Sequence, residues 1–417
     1  MYEHLPVRQM VCLDMRSFYA SCAAADEGLD IMDTPIAIIG DKKRKGGIVL
    51  AASPRLKKEF GIQTGMRLFE IPDDPTIHLI EPKMAFYIKV SMEIARLLNR
   101  YVPKEAIHVY SIDESFIDLG GTERLWGPLI ETVKQIQDDL TNQFQLRSAC
   151  GIGPNMLLSK LALDIEAKKT GIAHWTYESV PEKLWPIAPL SRMWGIGSRT
   201  EKTLNNMGVF SVGDLAQTSL VSLEKKFGIM GNQLYYHAHG IDLSDMGAPL
   251  IEGQVSYGKG QVLHSDYTTR KDVLTVILEM CEDVARRARE ADRAGRTIHL
   301  SVAYSKHALG GGFGRSQSIG EATNDTMEIY KTSTQLFDKF HDGRPVRRLS
   351  VSLTNLEEEH SMQLSLFDEH KWRNRKLGTA MDSLRSKYGS TAVLRAVSYT
   401  KAGTAVERAK LIGGHYK

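Results

Sequence analysis

Asp113 and Glu114 stand side by side in His108–Gly121, HVYSIDESFIDLGG, a run otherwise made of strand-forming residues. Adjacent ionised carboxylates repel each other, and burying either one without a partner is costly. The pair therefore asks for a cation. Along a regular strand neighbouring side chains leave opposite faces, so the two acids converge only where the chain twists or turns. AIHVY and SFIDLGG read as the arms of a β-hairpin with SIDES at its bend. A third acid, Asp14, closes a β-prone run from Val7 to Leu13. Hard oxygen ligands that leave one another's charge standing suit Mg²⁺, which takes a few carboxylates together with waters and phosphates. Two such ions about 3.5–4 Å apart would clamp the attacking and leaving oxygens of an in-line phosphoryl transfer. By spacing alone, Asp113 and Glu114 are equally ordinary turn acids.

The surrounding elements are those needed to bring these acids together. After Asp14 comes a helical pattern, SFYASCAAADEGLD, then a strand PIAIIG, a basic turn DKKRKGG and a strand IVLAAS. The short helix PRLKKEFG follows, with Pro at its start and Gly61 past its end. An amphipathic helix from about Met84 to Tyr101 leads into the hairpin. A helix over about 123–143, a strand RSACGIG and a helix PNMLLSKLALDIEAKK stopped by Gly171 complete the series. Strand, small unit, helix, hairpin, helix, strand is a split βαββαβ sheet with an insertion after its first strand.

Short helices occupy about 186–217, and the GIG turn Gly195–Gly197 before one of them resembles a helix-hairpin-helix, whose backbone N–H groups hold a DNA phosphate. A polar stretch near 242–253 reads as a linker. A second α/β block covers about 254–356, and its GGGFGRSQSIG segment reads as a loop in which Arg315 and Ser316 could face phosphates. That block holds fifteen Lys and Arg against twelve Asp and Glu, so any DNA affinity depends on where its charges lie. The tail carries QLSLF and then a basic helix.

Composition narrows the classes. In 417 residues, 53 Lys and Arg nearly balance 50 Asp and Glu, and 42% of residues are hydrophobic, as in an ordinary soluble protein. No run approaches the roughly 20 apolar residues of a membrane span, and MYEHLPVRQMVCLDMRSFYA lacks a signal peptide's basic and apolar regions. A cytoplasmic protein without a membrane partner is expected. Four scattered cysteines give neither a zinc site nor a disulfide framework.

LDMRSFYASC, YSIDESFIDL, CGIGPNMLLSKLA with AKKTGI, the GIG turn and QLSLF follow one another as they do in Y-family translesion DNA polymerases, and the chain resembles the UmuC-like branch from about Val7 to Phe367. The resemblance implies an α/β (α+β) right-hand polymerase. Its palm, the split sheet, would be residues 1–18 and 84–174, with small fingers over 19–83 and a helical thumb over 175–243. A linker at 244–253, a little finger over 254–356 and a tail over 357–417 would follow. It also implies a deoxynucleotide-adding enzyme that extends primer-template DNA past damage with two Mg²⁺, works as a monomer, and sits with the bacterial nucleoid.

Residue by residue, Asp14, Asp113 and Glu114 match the family's metal-binding acids and the Met15 carbonyl a further ligand, while Arg16 stands where some relatives have an acid. Tyr19, beside Phe18, matches the aromatic under the sugar of the incoming nucleotide, where it leaves no room for a 2′-hydroxyl. Arg55 and Lys58 match a Tyr and an Arg that bind triphosphate, and Lys168 matches the triphosphate lysine. Gly195, Gly197, Arg315 and Ser316 are the expected DNA contacts. Gln363, Leu364, Leu366 and Phe367 resemble the peptide that docks on the bacterial sliding clamp. Two rivals stay open: a nucleotide cyclase with a similar sheet, and a catalytically inactive DNA- and clamp-binding protein.

Overall fold

The computed structural model describes residues 2–42, 46–246, 255–359 and 369–416. The chain divides into two compact units, Met1–Ala248 with His415–Lys417, and Pro249–Gly414.

The first unit runs β1 (Met10–Met15), α1 (Phe18–Asp26), β2 (Ile36–Ile39), β3 (Val49–Ala52), α2 (Pro54–Phe60), β4 (His78–Ile80), α3 (Met84–Leu98), β5 (Ile107–Val109) and β6 (Glu114–Asp118). It continues through α4 (Glu123–Trp126), α5 (Leu129–Phe144), β7 (Ser148–Gly153), α6 (Met156–Ala162), α7 (Lys168–Thr170) and β8 (Ile172–His174). Five strands form one sheet in the order β5-β6-β1-β7-β8, with β1 antiparallel to both neighbours. This is the expected split βαββαβ sheet, extended by β8, which pairs parallel to β7 beyond Gly171.

Two expected helices are broken. The segment 123–143 is two helices, because Gly127 takes a φ of 88° and Pro128 has no N–H to continue the ladder. The segment after Asn155 opens at Leu163–Ala167 into a π turn, a local widening that proteins often place at functional sites. Close packing explains how α6 meets the sheet: a Cβ on Gly151 would lie 2.1 Å from the Ser159 carbonyl oxygen, and one on Gly153 2.6 Å from the Ser159 nitrogen. The two glycines of CGIG let helix backbone lie directly on β7.

The insertion is a separate three-stranded sheet, β3-β2-β4, carrying α2. Buried Ser53 caps α2, its Oγ accepting from Leu56 N and Ile36 N and donating to the Thr34 carbonyl. Gly61 ends the helix in the left-handed region at φ 68°. Residues 43–45 of the basic turn lie outside the described residues.

Next come α8 (Ser198–Asn205), α9 (Val212–Gln217), α10 (Leu220–Phe227) and α11 (Ile229–Ala238). Their apolar residues, Leu204, Val212, Leu215 and Leu223 among them, share one core with Met10, Cys12, Phe116 and Leu161. Most of the expected linker, from residue 247 on, lies outside the described residues.

The second unit is β9 (Ser256–Tyr267), α12 (Arg270–Glu290), β10 (Arg293–Tyr304), β11 (Gly312–Thr323), α13 (Thr326–Phe340), β12 (Val346–Glu358) and α14 (Glu369–Tyr388), its strands ordered β11-β10-β12-β9. From Gly312 on, GGGFGRSQSIG is therefore not a loop. It is an edge strand paired along most of its length with β10, and its Gly and Ser residues hid the alternation. The basic tail helix and the segment after it dock in this unit: Arg289 bonds Asp382 at 2.7 Å, and Arg385 of the helix and Arg395 beyond it grip Glu282 at 3.1 and 2.8 Å. No helix among the described residues is long and apolar enough to cross a membrane.

Candidate active site

Because β1 lies between β6 and β7, Asp14 pairs in register with Glu114 on one side and Ala149 on the other. The β5–β6 bend holds Asp113, whose carbonyl accepts from Met15 N at 2.9 Å. Ser111 Oγ donates to the Asp113 carboxylate at 2.6 Å. The hairpin thus brings all three acids to the end of β1.

Lys160, which the sequence left unassigned, and Lys168, expected at the triphosphate, meet them there. Glu114, nearly buried, pairs with equally buried Lys160 at 2.7 Å and accepts from the Cys12 thiol at 3.1 Å. Lys160 also reaches Asp164 at 3.2 Å, Asp164 holds Lys168 at 2.7 Å, and Lys168 comes within 3.6 Å of Asp14. The result is a chain of alternating charge, Glu114–Lys160–Asp164–Lys168–Asp14, whose two ends lie on paired strands. Its helical members stand at i, i+4 and i+8 across the π turn. That spacing was readable in SKLALDIEAKK, but what the helix faces was not.

The charges do not cancel. Asp14 is pushed up to about 6: burial is the largest cause, Lys168 opposes it, Asp113 and Glu114 reinforce it, and Lys160 opposes again. Burial also pulls the Lys168 ammonium down, but Asp164 and Asp14 outweigh it and the net shift is upward. As placed, no three His, Cys, Asp or Glu side chains among the described residues are close enough to hold a metal ion, since Glu114 turns to Lys160 and Asp14 to Lys168. The donor set nevertheless fits one. Hard carboxylate oxygens are the ligands a divalent cation takes, and a cation there would offset the repulsion that Asp113 and Glu114 add to the burial of Asp14.

The loop after Asp14 is strained and tied down. Ser17 takes the left-handed conformation, φ 49° and ψ 45°, which costs a non-glycine residue roughly 1–3 kcal/mol and concentrates at functional sites. Ser21 Oγ donates to the Arg16 carbonyl, Arg16 N to the Arg147 carbonyl, and Arg16 Nη2 to the Lys168 carbonyl.

Tyr19 follows buried Phe18 on α1 and stacks on Tyr87, ring centroids 4.8 Å apart. Burial and the nearby Asp113 carboxylate raise its phenol, so the ring borders the acids. From α2 it is Lys57 that reaches the loop, its Nζ donating to Ser17 Oγ at 3.0 Å. Burial lowers its ammonium while Asp14 pulls it back. Lys58 is exposed, and Arg55 is engaged with Glu59 at 2.9 Å and with the Asp33 carbonyl.

The GIG turn lies over the hairpin. Trp194 packs on Tyr110 and Phe116 at 5.9 and 6.1 Å, Ile196 is buried, Gly195 takes a φ of 91°, and Gly197 caps α8. A Cβ at either glycine would meet nothing within 4 Å, which leaves the turn's backbone open. On β11, Ser316 pairs with His299 and shares a hydrogen bond with its Nδ1 at 2.9 Å. Adjacent Arg315 leaves the other face and lies 5.1 Å over the Phe340 ring, so strand alternation separates two residues expected to act together. Gln363, Leu364, Leu366 and Phe367 lie outside the described residues.

A divided sheet with a carboxylate trio at the end of its central strand is the arrangement of a nucleotidyl-transferring polymerase palm. The chain belongs to the impB/mucB/samB family, the UmuC-like Y-family DNA polymerases: residues 13–164 match that family, 254–366 its C-terminal domain, and 192–242 the DNA polymerase-iota thumb domain. It is 55% identical over 99% of both chains to a Bacillus subtilis (strain 168) protein named for UV-damage repair, UvrX. It is 39% identical to DNA polymerase IV 2 of the same organism, over 97% of this chain and 98% of that one. A solved Y-family DNA polymerase chimera of Dbh and Dpo4 shares the fold, with a TM-score of 0.63 at 20% identity over 83% of this chain and 98% of that one. Membership of this family carries a general dependence on divalent metal.

Proposed function

We infer that the chain is a template-directed DNA polymerase of the translesion type, adding deoxynucleotides to a primer 3′-hydroxyl with low fidelity. The observation that carries this reading is the register of Asp14 opposite Glu114 with Asp113 at the adjoining bend, in a chain of this family. Two magnesium ions held by Asp14, Asp113, Glu114 and the Met15 carbonyl would activate the primer oxygen and stabilise the charge of the departing pyrophosphate.

The chain's own residues do the rest. Lys168 and Lys57 stand beside the acids and meet the triphosphate, where fixed cations gain most as charge moves to the leaving group. Lys57 takes the place expected of Lys58, and Arg55, held by Glu59, has a smaller part. Tyr19, braced by Tyr87, excludes a 2′-hydroxyl by contact. The residues 19–83 act as small fingers, 175–243 as the thumb with Gly195 and Gly197 on a DNA phosphate, and 254–356 as the little finger with Ser316 toward DNA and Arg315 at its edge. Gln363–Phe367 docks on the sliding clamp.

Primer extension by the purified chain on undamaged and abasic templates, with and without Mg²⁺, tests the reading. Template-dependent, metal-dependent extension on both is expected. Conversion of free nucleotides without primer or template would replace it with the cyclase reading.

A further inference from the structure

Arg16 stands where some relatives of this family have an acid, and its surroundings suggest what the exchange achieves. Its main-chain N–H donates to the Arg147 carbonyl at 2.9 Å and its Nη2 to the Lys168 carbonyl at 3.0 Å. The second bond holds the guanidinium at an open depression of about 420 Å³, whose lining includes Arg16, Arg147, Lys169, Gln137, Asp138 and Ser148. Ser148 neighbours Ala149, the β7 residue in register with Asp14, so its side chain leaves the opposite face of the sheet. The depression therefore lies behind the carboxylates, and consecutive lysines straddle the wall between: Lys168 reaches Asp14, while Lys169 lines the depression.

Three cations face one carboxylate there. Arg147 and Lys169 are exposed, and neither makes an ion pair among the described residues. The Arg16 Nε is shut off from solvent without an acceptor, although a buried donor left unpaired costs roughly 1–3 kcal/mol and most such groups in folded proteins find a partner. Guanidinium groups suit phosphate and carboxylate oxygens because their donors form a planar fork, and three cations against one carboxylate favour the more highly charged of the two. The lining holds no aromatic ring on which a base could stack, which points away from a whole nucleotide or single-stranded DNA.

We propose that this depression is a polyphosphate site that receives inorganic pyrophosphate. The source of the ligand rests on the polymerase reading; the site itself does not. In nucleotide addition the primer 3′-hydroxyl gives its proton to water and its oxygen bonds to the α-phosphorus as the bond between the α-phosphorus and the α–β bridging oxygen breaks, and pyrophosphate leaves on that bridging oxygen. A cationic depression across a single turn from Lys168 gives the departing anion a place to go that does not compete with the next nucleotide.

The test is calorimetric titration of the full chain with inorganic pyrophosphate in EDTA, where the carboxylate trio without metal repels anions. One saturable site is expected, weakened at least tenfold in Arg147→Ala/Lys169→Ala and weakened by salt, but unchanged in Asp113→Asn. Both substituted side chains are exposed, so the double variant keeps its melting temperature and its KM for dNTP. No binding in EDTA, equal affinity in the double variant, or equal affinity for monophosphate or dATP overturns the assignment. Failure of primer extension with pyrophosphate binding intact strikes the polymerase reading alone.

Discussion

The two large sheets share an order of elements, strand-helix-strand-strand-helix-strand, but not an order in space. In the first unit the opening strand is central, flanked by β6 and β7; in the second the opening strand β9 lies at the edge. Centrality puts Asp14 between the hairpin acids and the lysines of α6 and α7. In the second sheet the strands carry no such group of acids: the face away from its helices presents Thr297, His299, Ser301, Ser316, Ser350 and Ser352 in register.

Their ion pairs differ in the same sense. Glu282 in the second unit is closed by two arginines, and Arg289 by Asp382; these pairs fasten the tail helix. In the first unit, among the described residues, Asp113 is met only by the Ser111 hydroxyl, and burial keeps the Asp14 pKa raised despite two lysines. A closed ion pair holds structure together. An open one keeps charge available for a ligand.

Substitutions sharpen or break that contrast. Glu282→Ala leaves nearly buried Arg385 and partly buried Arg395 without their carboxylate and is expected to destabilise the second unit by roughly 3 kcal/mol, read by calorimetry of the full chain; an unchanged transition would mean the tail is not fastened there. Gly151→Ala drives a methyl group into the Ser159 carbonyl and should cost about 3 kcal/mol, the upper part of the overpacking range, while also reducing nucleotide addition as α6 moves Lys160 from Glu114. Loss of stability with full activity would break the link between that packing and the site.

Asp14 gives a pH-dependent result. Its folded pKa of about 6 lies above the ordinary 3.8, so the metal-free fold favours the protonated acid. That contribution is complete below about pH 4 and is lost as the pH rises through 6. Asp14→Asn should therefore stabilise the metal-free chain at pH 8 by up to about 3 kcal/mol and leave it unchanged at pH 4, as urea unfolding at the two pH values will show. The smallest effect separates neighbours on α2: Lys57→Ala should raise KM for dNTP about tenfold, or roughly 1.4 kcal/mol of binding, against less than twofold for Lys58→Ala. The reverse order would restore the expectation from sequence.

The site's acids were legible because adjacent carboxylates in a strand-like run are anomalous, and the hairpin was legible because alternation allows their convergence only at a bend. Lys57 was not, since its direction depends on how α2 is rotated. Buried Ser53 and Leu56 set that rotation through contacts distant in sequence. The π turn left no mark in the apolar periodicity, and the CGIG glycines did not announce that a helix backbone would lie on them. On β11 the small residues Gly314, Ser316 and Ser318 masked the period-two pattern that pairing with β10 reveals. The closing ion pairs of the tail helix join residues about a hundred positions apart, beyond the reach of local pattern.

The most direct test of the open carboxylate site is the single-turnover rate of adding one dNMP by Asp113→Asn at saturating Mg²⁺. Asparagine keeps the side chain's shape and its bond to Ser111, so folding is preserved. A fall of at least about a thousandfold is the expected result; addition at the unaltered rate would contradict the account.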